Sequence, residues 1–390
     1  MNEHLSLRAM LWIVSAGFFM QTLDTTIVNT ALPSMARDLH ELPFNMQPVI
    51  VAYSLTMAML IPASGWLGDR FGTRRVYVAP IFIFALGSLC CAMSQSLHQL
   101  IVSRVLQGVG GSMLLPIGRL AILRGYPSTL YLSAITTASI SGQVGPLLGP
   151  VLGGWLVEKT SWHWIFLINL PIGLIGCVAA LVFLSDERGS DTAPQFDLPG
   201  FALLSACMVT FSLALDGGGG AQELAWVAAM LASSVAFAAV YVHLARKREH
   251  PLFPLALFAQ PAFSRGLAGN LIARIGIGAV PFLLPMLFQL ELGFSPLASG
   301  LMMLPTAIAA VAVKRTIPAL VRTHGYRSFV LANVWLVGAS VIGFSAISHT
   351  SPIWLVVLQL SIFGAFSSML SGTMNSGKRQ LSTVLSRAAG

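Results

Sequence analysis

Twelve runs of mostly apolar residues alternate with short polar joints along this chain. They lie near 9–31, 47–68, 76–95, 98–118, 130–157, 163–184, 197–215, 224–245, 266–290, 295–313, 328–347 and 352–373. The runs are continuously apolar rather than alternating at every second residue, so they predict helices and not barrel strands. Each is long enough to carry ~20 helical residues through ~30 Å of hydrocarbon. The pattern predicts an all-α polytopic membrane protein. The first run is too long for the core of a signal peptide and lacks a cleavage site, so it is expected to stay as the first span.

The polar joints divide the chain further. Residues 1–184 read as a six-helix bundle, 185–263 as an inserted two-helix hairpin with flanking loops, 264–373 as a four-helix bundle, and 374–390 as a polar tail. Boundaries fall at the polar loop 185–196 and at 246–263, which opens Arg-Lys-Arg-Glu-His-Pro; the loop Asp216-Gly-Gly-Gly-Gly220 joins the inserted pair. A weak internal repeat supports two halves. Arg70-Phe-Gly-Thr-Arg74 follows the second span, and Thr323-His-Gly-Tyr-Arg327 follows the second span after the hairpin. Repeated halves are common in transporter folds.

Composition sharpens this picture. Of 390 residues, 55% are apolar and only 9% charged, against ~25% charged in soluble domains. So few charges cannot cover a soluble surface of this size. The net charge of +8 does not mark a nucleic-acid partner, because the cations sit in short clusters between apolar runs. With the N-terminus inside, 18 of the 22 Lys and Arg residues fall on the cytoplasmic side, 2 (Arg37 and Lys159) outside, and 2 (Arg104 and Arg274) within spans. That asymmetry is what the positive-inside rule requires of a correct span count. Cys90, Cys91, Cys177 and Cys207 lie inside apolar runs without metal-ligand spacing, and read as small hydrophobes.

A few polar residues stand out against this apolar background. Asp24 lies deep in the first span, in Leu23-Asp-Thr-Thr-Ile-Val-Asn29. A carboxylate in hydrocarbon costs at least ~2.5 kcal/mol on insertion scales. It is therefore expected to face a cavity or the bundle interior, as a carrier of protons or as a packing group satisfied by Thr25, Thr26 and Asn29. Arg104, in Ser103-Arg-Val-Leu-Gln-Gly-Val-Gly-Gly-Ser112, shares a helical face with Gly108, Gly111 and Ser112. It can tune a neighbouring carboxylate or snorkel to the interface. On the fifth span, within Gly142 to Gly154, Ser141, Gly145, Gly149 and Gly153 recur every four residues and make a small-residue face for close helix contact, and Pro146 and Pro150 are expected to bend the helix. Such a face suits a rocking interface and static packing equally. Arg274, within the ninth run, either lines a cavity or pairs with an acid.

The joint Gly65-Trp-Leu-Gly-Asp-Arg-Phe-Gly-Thr-Arg-Arg75 packs Asp69, Arg70, Arg74 and Arg75 beside Gly65, Gly68 and Gly72. It suits a loop that lets two helices approach while its charges lock against a partner. Other signals are decoys. Gly372-Thr-Met-Asn-Ser-Gly-Lys378 approaches a phosphate loop, but Arg379 stands where the magnesium-binding hydroxyl belongs and no strand precedes it. Trp162-His-Trp164 marks an interfacial aromatic belt.

At these residues the chain resembles the major facilitator superfamily, specifically its drug:proton antiporters of the fourteen-span EmrB/QacA type, over about residues 8–370. The resemblance implies that Asp24 is the acid of proton coupling and that Arg104 takes part in proton transfer. It also implies that Gly65–Arg75 stabilises the outward-facing state as a cytoplasmic gate motif, with Asp69 and its neighbouring arginines as charge partners. Gly142 to Gly154 corresponds to the family's antiporter motif. Trp162-His-Trp-Ile-Phe-Leu-Ile-Asn-Leu-Pro-Ile-Gly173 is also similar, although His163 stands where arginine is more usual. The family's plan needs fourteen spans and twelve are found, with the sequence turning polar from about Leu370. A truncated reading frame with an incomplete C-terminal bundle is the expectation from that difference.

The resemblance implies a secondary exporter in the bacterial inner membrane, exchanging incoming protons for a small organic solute; the oligomeric state stays open, with a monomer the expectation. No enzyme activity, bound cofactor or metal is implied. The competing expectation is a transport-incompetent remnant or partner subunit.

Overall fold

The computed structural model describes residues 3–184, 195–215, 221–248, 251–253, 255, 258, 260–348 and 351–388. The loop of the inserted pair at 216–220 and most of the joint at 185–196 lie outside the described residues.

The described chain is helical. Helix α1 spans Glu3–Asp38, α2 Gln47–Leu60, α3 Ser64–Phe71, α4 Thr73–Ala92, α5 Leu97–Gly125 and α6 Ser128–Lys159. Short α7 (Trp164–Leu167) leads into α8 (Asn169–Phe183), and the hairpin supplies α9 (Leu198–Leu215) and α10 (Ala221–Ala245). The remainder forms α11 (Pro261–Gly278), α12 (Val280–Met286), α13 (Pro296–Met302), α14 (Leu304–Ala312), α15 (Ile317–His324), α16 (Tyr326–Gly343) and α17 (Ile353–Ala388).

Among the described residues, eleven helices are long and apolar enough to cross a membrane. The ninth predicted span, 266–290, is instead divided. Pro281 has no N–H for the carbonyl of Ile277, and the Ala279 N–H turns to that carbonyl, so α11 ends and α12 begins. A π turn over Leu287–Glu291 continues α12 and makes a shorter apolar helix, Val280–Glu291. The predicted polar tail is not a loop: the α17 backbone is helical through Ala388.

Side chains sort by solvent. Val14, Phe18, Tyr77, Phe84, Leu114 and Ile117 fill a core between α1, α4 and α5. Val280, Phe288, Leu360 and Phe363 fill a second core around α12 and α17. Large apolar residues such as Trp12, Phe82, Leu174 and Trp335 are exposed. Such a surface is stable only against lipid.

By backbone proximity the chain forms two units. The first holds Met1–Thr25, Ala36–Gly145 and His163–Leu255; the second holds Thr26–Met35, Pro146–Trp162 and Ala256–Gly390. Close approach in each depends on missing side chains. In the first, a Cβ on Gly110 would meet the Phe84 backbone, and one on Gly145 would meet Thr22. In the second, a Cβ on Gly149 would meet Thr26, one on Gly153 would come within 2.7 Å of the Ile27 carbonyl, and one on Gly154 would meet the Pro296 carbonyl. The four-residue spacing of Gly145, Gly149 and Gly153 is therefore the face of α6 that lies on α1.

The sequence repeat has a structural counterpart. A 3-10 turn (Ile61–Ala63), the eight-residue α3, Gly72 and the long α4 follow in order; Val313–Arg315, the eight-residue α15, Gly325 and α16 repeat it. Gly72 has φ 83° and ψ 154°, and Gly325 φ 76° and ψ 151°. That region is essentially closed to residues with a Cβ.

Candidate functional site

Asp24 and Arg104 meet. Helix α1 carries Asp24 and helix α5 carries Arg104, and the Arg104 Nη1 donates to Asp24 Oδ2 at 2.7 Å. Both side chains are buried, at 0% and 1% exposure. A charge so far from water needs every bonding position used, and the surroundings supply partners. Gln107, one helical turn from Arg104, donates from Nε2 to Asp24 Oδ1 at 2.8 Å and accepts from Arg104 Nη1 at 2.5 Å. Asn169, the first residue of α8, donates from Nδ2 to the same Asp24 Oδ1 at 3.0 Å. Arg104 Nε donates to the Val49 carbonyl at 3.2 Å, and the guanidinium lies 4.1 Å from the Tyr53 ring centre. Ser88 of α4 accepts from Gln107 at 2.8 Å.

The chain is built to bring these groups together. Gly87 lies against the backbone of Gln107, and Gly108 and Gly111 lie against Tyr53 and Thr56. Any side chain at these glycines would push α5 away from α4 or α2 and carry Arg104 with it. Chemically, the arrangement holds one ionisable carboxylate against a permanently charged guanidinium. Its ionic and neutral forms differ in net charge, so one proton changes the charge of the whole cluster.

Both ends of this pair stand out in the sequence, but their shell does not. Thr25 donates to the Gln21 carbonyl at 2.9 Å and not to Asp24. Arg104 does not snorkel. Gln107 stood beside Arg104 in sequence, and its spacing of three residues was the available signal. Asn169 lay in the motif that follows Trp162. Arg274 pairs with no acid among the described residues: its Nε donates to Asn270 Oδ1, four residues back, at 2.9 Å.

The Gly65–Arg75 segment forms most of α3, Gly72 and the start of α4. The ion-pair partner of Asp69 is Arg124, from the last turn of α5, rather than one of its neighbouring arginines. Arg124 Nη2 lies 2.5 Å from Asp69 Oδ1, and Nη1 donates to the Gly68 carbonyl at 3.3 Å and to Thr73 Oγ1 at 3.2 Å. One guanidinium thus spans the Gly72 turn. Trp66 packs against Phe196 with tilted rings, centres 5.1 Å apart, and Phe196 against Phe201 at 5.5 Å, also tilted. Buried Asp197 caps α9 through Gly200 N at 2.9 Å and pairs with Arg248 at 2.5 Å. The hairpin is therefore pinned beside the same segment.

Comparison with known proteins agrees with this architecture. A family model, Major Facilitator Superfamily, matches residues 14–380. The chain is 46% identical over 377 residues to the "Putative multidrug resistance protein MdtD" of Pectobacterium atrosepticum, covering 96% of this chain and 80% of that protein. It is 45% identical over 369 residues to the protein of the same description in Salmonella typhi, covering 94% and 78%. Among solved structures, it resembles a D-xylose-proton symporter (TM-score 0.62, 14% identity, 93% of this chain and 80% of that one). It also resembles a peptide transporter POT solved with sulfate (TM-score 0.63, 16% identity, 95% and 84%). At these identities the two structures speak for the fold alone. This multi-pass membrane chain, matched by the family model over nearly its whole length, belongs to the Major Facilitator Superfamily.

Proposed function

We propose that this transporter is a proton-coupled exporter that exchanges incoming protons for outgoing drugs or other small organic solutes by alternating access. It works in the bacterial inner membrane with its N-terminus in the cytoplasm. The observation that carries this reading is the buried Asp24–Arg104 pair. A fully desolvated ion pair inside membrane helices is costly to build and marks ion or proton pathways. Asp24 takes the proton, and Arg104 is the fixed positive charge beside it.

The motif glycines and charges fit parts of such a cycle. Asp69, Arg70, Arg74 and Arg75, with Gly65, Gly68 and Gly72, form the cytoplasmic gate, latched by Arg124. Gly142, Gly145, Pro146, Gly149, Pro150, Gly153 and Gly154 let α6 slide or rock on close backbone contacts. The export direction and the solute class rest on the similarity to the MdtD proteins. No chemical step on the solute is needed.

The test is flux in proteoliposomes with an imposed pH gradient. Wild-type protein is expected to move an organic cation or a drug against its gradient, with proton movement in the opposite sense, and Asp24→Asn to lose gradient-driven flux. Equal flux in the two proteins removes Asp24 from the mechanism. Absence of flux from well-inserted wild-type protein favours the alternative, a transport-incompetent partner subunit.

A further inference from the structure

Of the two side-chain amides that bond Asp24, one keeps an amide oxygen with no partner among the described residues. Asp24 Oδ2 faces Arg104, whereas Oδ1 faces two amide donors, Gln107 Nε2 at 2.8 Å and Asn169 Nδ2 at 3.0 Å. Those donors suit a carboxylate and oppose an acid. If Oδ1 takes a proton, its O–H points at two N–H groups, and a buried donor without an acceptor is costly. The two amides are not equivalent. Gln107 Oε1 already accepts from Arg104 Nη1 at 2.5 Å and from Cys91 Sγ at 3.7 Å. Turning the Gln107 amide over would set its NH2 against the guanidinium. Asn169 Oδ1, in a side chain 1% exposed, is buried with no hydrogen-bond partner among the described residues.

We infer that Asn169 is a positioning residue for proton loading, its side-chain amide turning over when Asp24 Oδ1 is protonated. In the ionised state Nδ2 donates to Asp24 Oδ1 and reaches Ser88 Oγ at 3.4 Å. After half a turn about the Cβ–Cγ bond, Oδ1 occupies the same place and accepts the new Asp24 O–H. That terminal torsion is broad and two-fold, so the turn is cheap, and the amide carries both a donor and an acceptor. The proton adds to Asp24 Oδ1 and no other covalent bond changes; Arg104 stays charged, so the cluster gains one positive charge. The groups facing Asp24 are Arg104 and the neutral Gln107 on α5, the titratable Tyr53 on α2 and Cys91 on α4, and the neutral Asn169 on α8. Of the two amides, only Asn169 has an acceptor to spare without disturbing Arg104.

The inference rests on Asp24 as the proton carrier, and the experiment separates the two. Infrared difference spectra are recorded across a pH titration of the whole protein in lipid, with isotope-labelled asparagine. Bands missing from Asn169→Thr identify residue 169, and bands missing from Asp24→Asn identify the carboxyl. The expected result is an Asn169 amide band that changes with the same midpoint as the Asp24 carboxyl and is silent in Asp24→Asn. In flux, Asn169→Leu, which can neither donate nor accept, is expected to fall about tenfold, with an altered pH profile. Asn169→Thr, whose hydroxyl does both, is expected to stay within about threefold of wild type. A silent Asn169 amide while Asp24 titrates overturns the inference and leaves the Asp24 reading intact. So does a folded Asn169→Leu protein with wild-type flux and pH profile. Wild-type flux in Asp24→Asn overturns both. The infrared arm decides alone if Asn169→Leu fails to insert.

Discussion

Gly72 and Gly325, 253 positions apart in sequence, hold the same backbone conformation, φ 83° and 76° with ψ near 150° in each. Each links an eight-residue helix to a long one at the same point of its half. The shared geometry turns a repeat of two identical residues into a repeat of three elements.

Gly325→Ala should therefore destabilise the protein by about 1–3 kcal/mol, from backbone strain alone. Open space surrounds a Cβ at this site, so no clash contributes. Gly338→Ala, in ordinary helical conformation and also surrounded by open space, should be neutral or slightly stabilising. Thermal unfolding of the two variants in one detergent checks this; equal melting temperatures would remove the strain argument.

Arg104→Gln should cost more than removing the whole pair. It leaves a buried carboxylate facing only neutral amides, a loss of about 3–5 kcal/mol. The double variant Asp24→Asn/Arg104→Gln should recover much of that loss. A double-mutant cycle on unfolding measures the coupling, and additive single effects would show that the pair does not interact energetically.

Asp69 and Arg124 are half-exposed, at 53% and 32%, and an ion pair of that kind contributes at most about 1 kcal/mol. Asp69→Asn and Arg124→Ala should accordingly leave the melting temperature almost unchanged. In flux they should act alike, and the double variant should be no worse than either single one. Independent, additive losses of flux would mean that the two do not form one latch.

On α6, tolerance of a methyl group should follow backbone distance. Gly154→Ala and Gly145→Ala place a Cβ against backbone that cannot yield, and overpacking of that kind costs about 1–3 kcal/mol. Gly142→Ala meets its first atom, Phe18 Cβ, at 3.6 Å and should be tolerated. Expression level and melting temperature across the three variants provide the comparison.

Much of this organisation was legible in the sequence because membrane solvation leaves long apolar runs with few exceptions. The same scarcity made Asp24 and Arg104 conspicuous. Their meeting was not legible, since 80 residues separate them and only helix packing brings them together. Gln107 and Asn169 were hidden by being neutral: an amide in a span looks like any other polar residue until its partner is known. Arg124 was one of several arginines at helix ends, and nothing local distinguished it from Arg119. The ninth span misled because hydropathy averages over Pro281, whereas the hydrogen-bond ladder does not.

The central claim, that Asp24 gains and loses a proton, is tested most directly by counting protons. Lightly buffered wild-type and Asp24→Asn proteins in lipid nanodiscs are taken through the same acid titration. The account predicts that wild type takes up about one proton per chain more than the variant. Superimposable titrations across the whole range would contradict it.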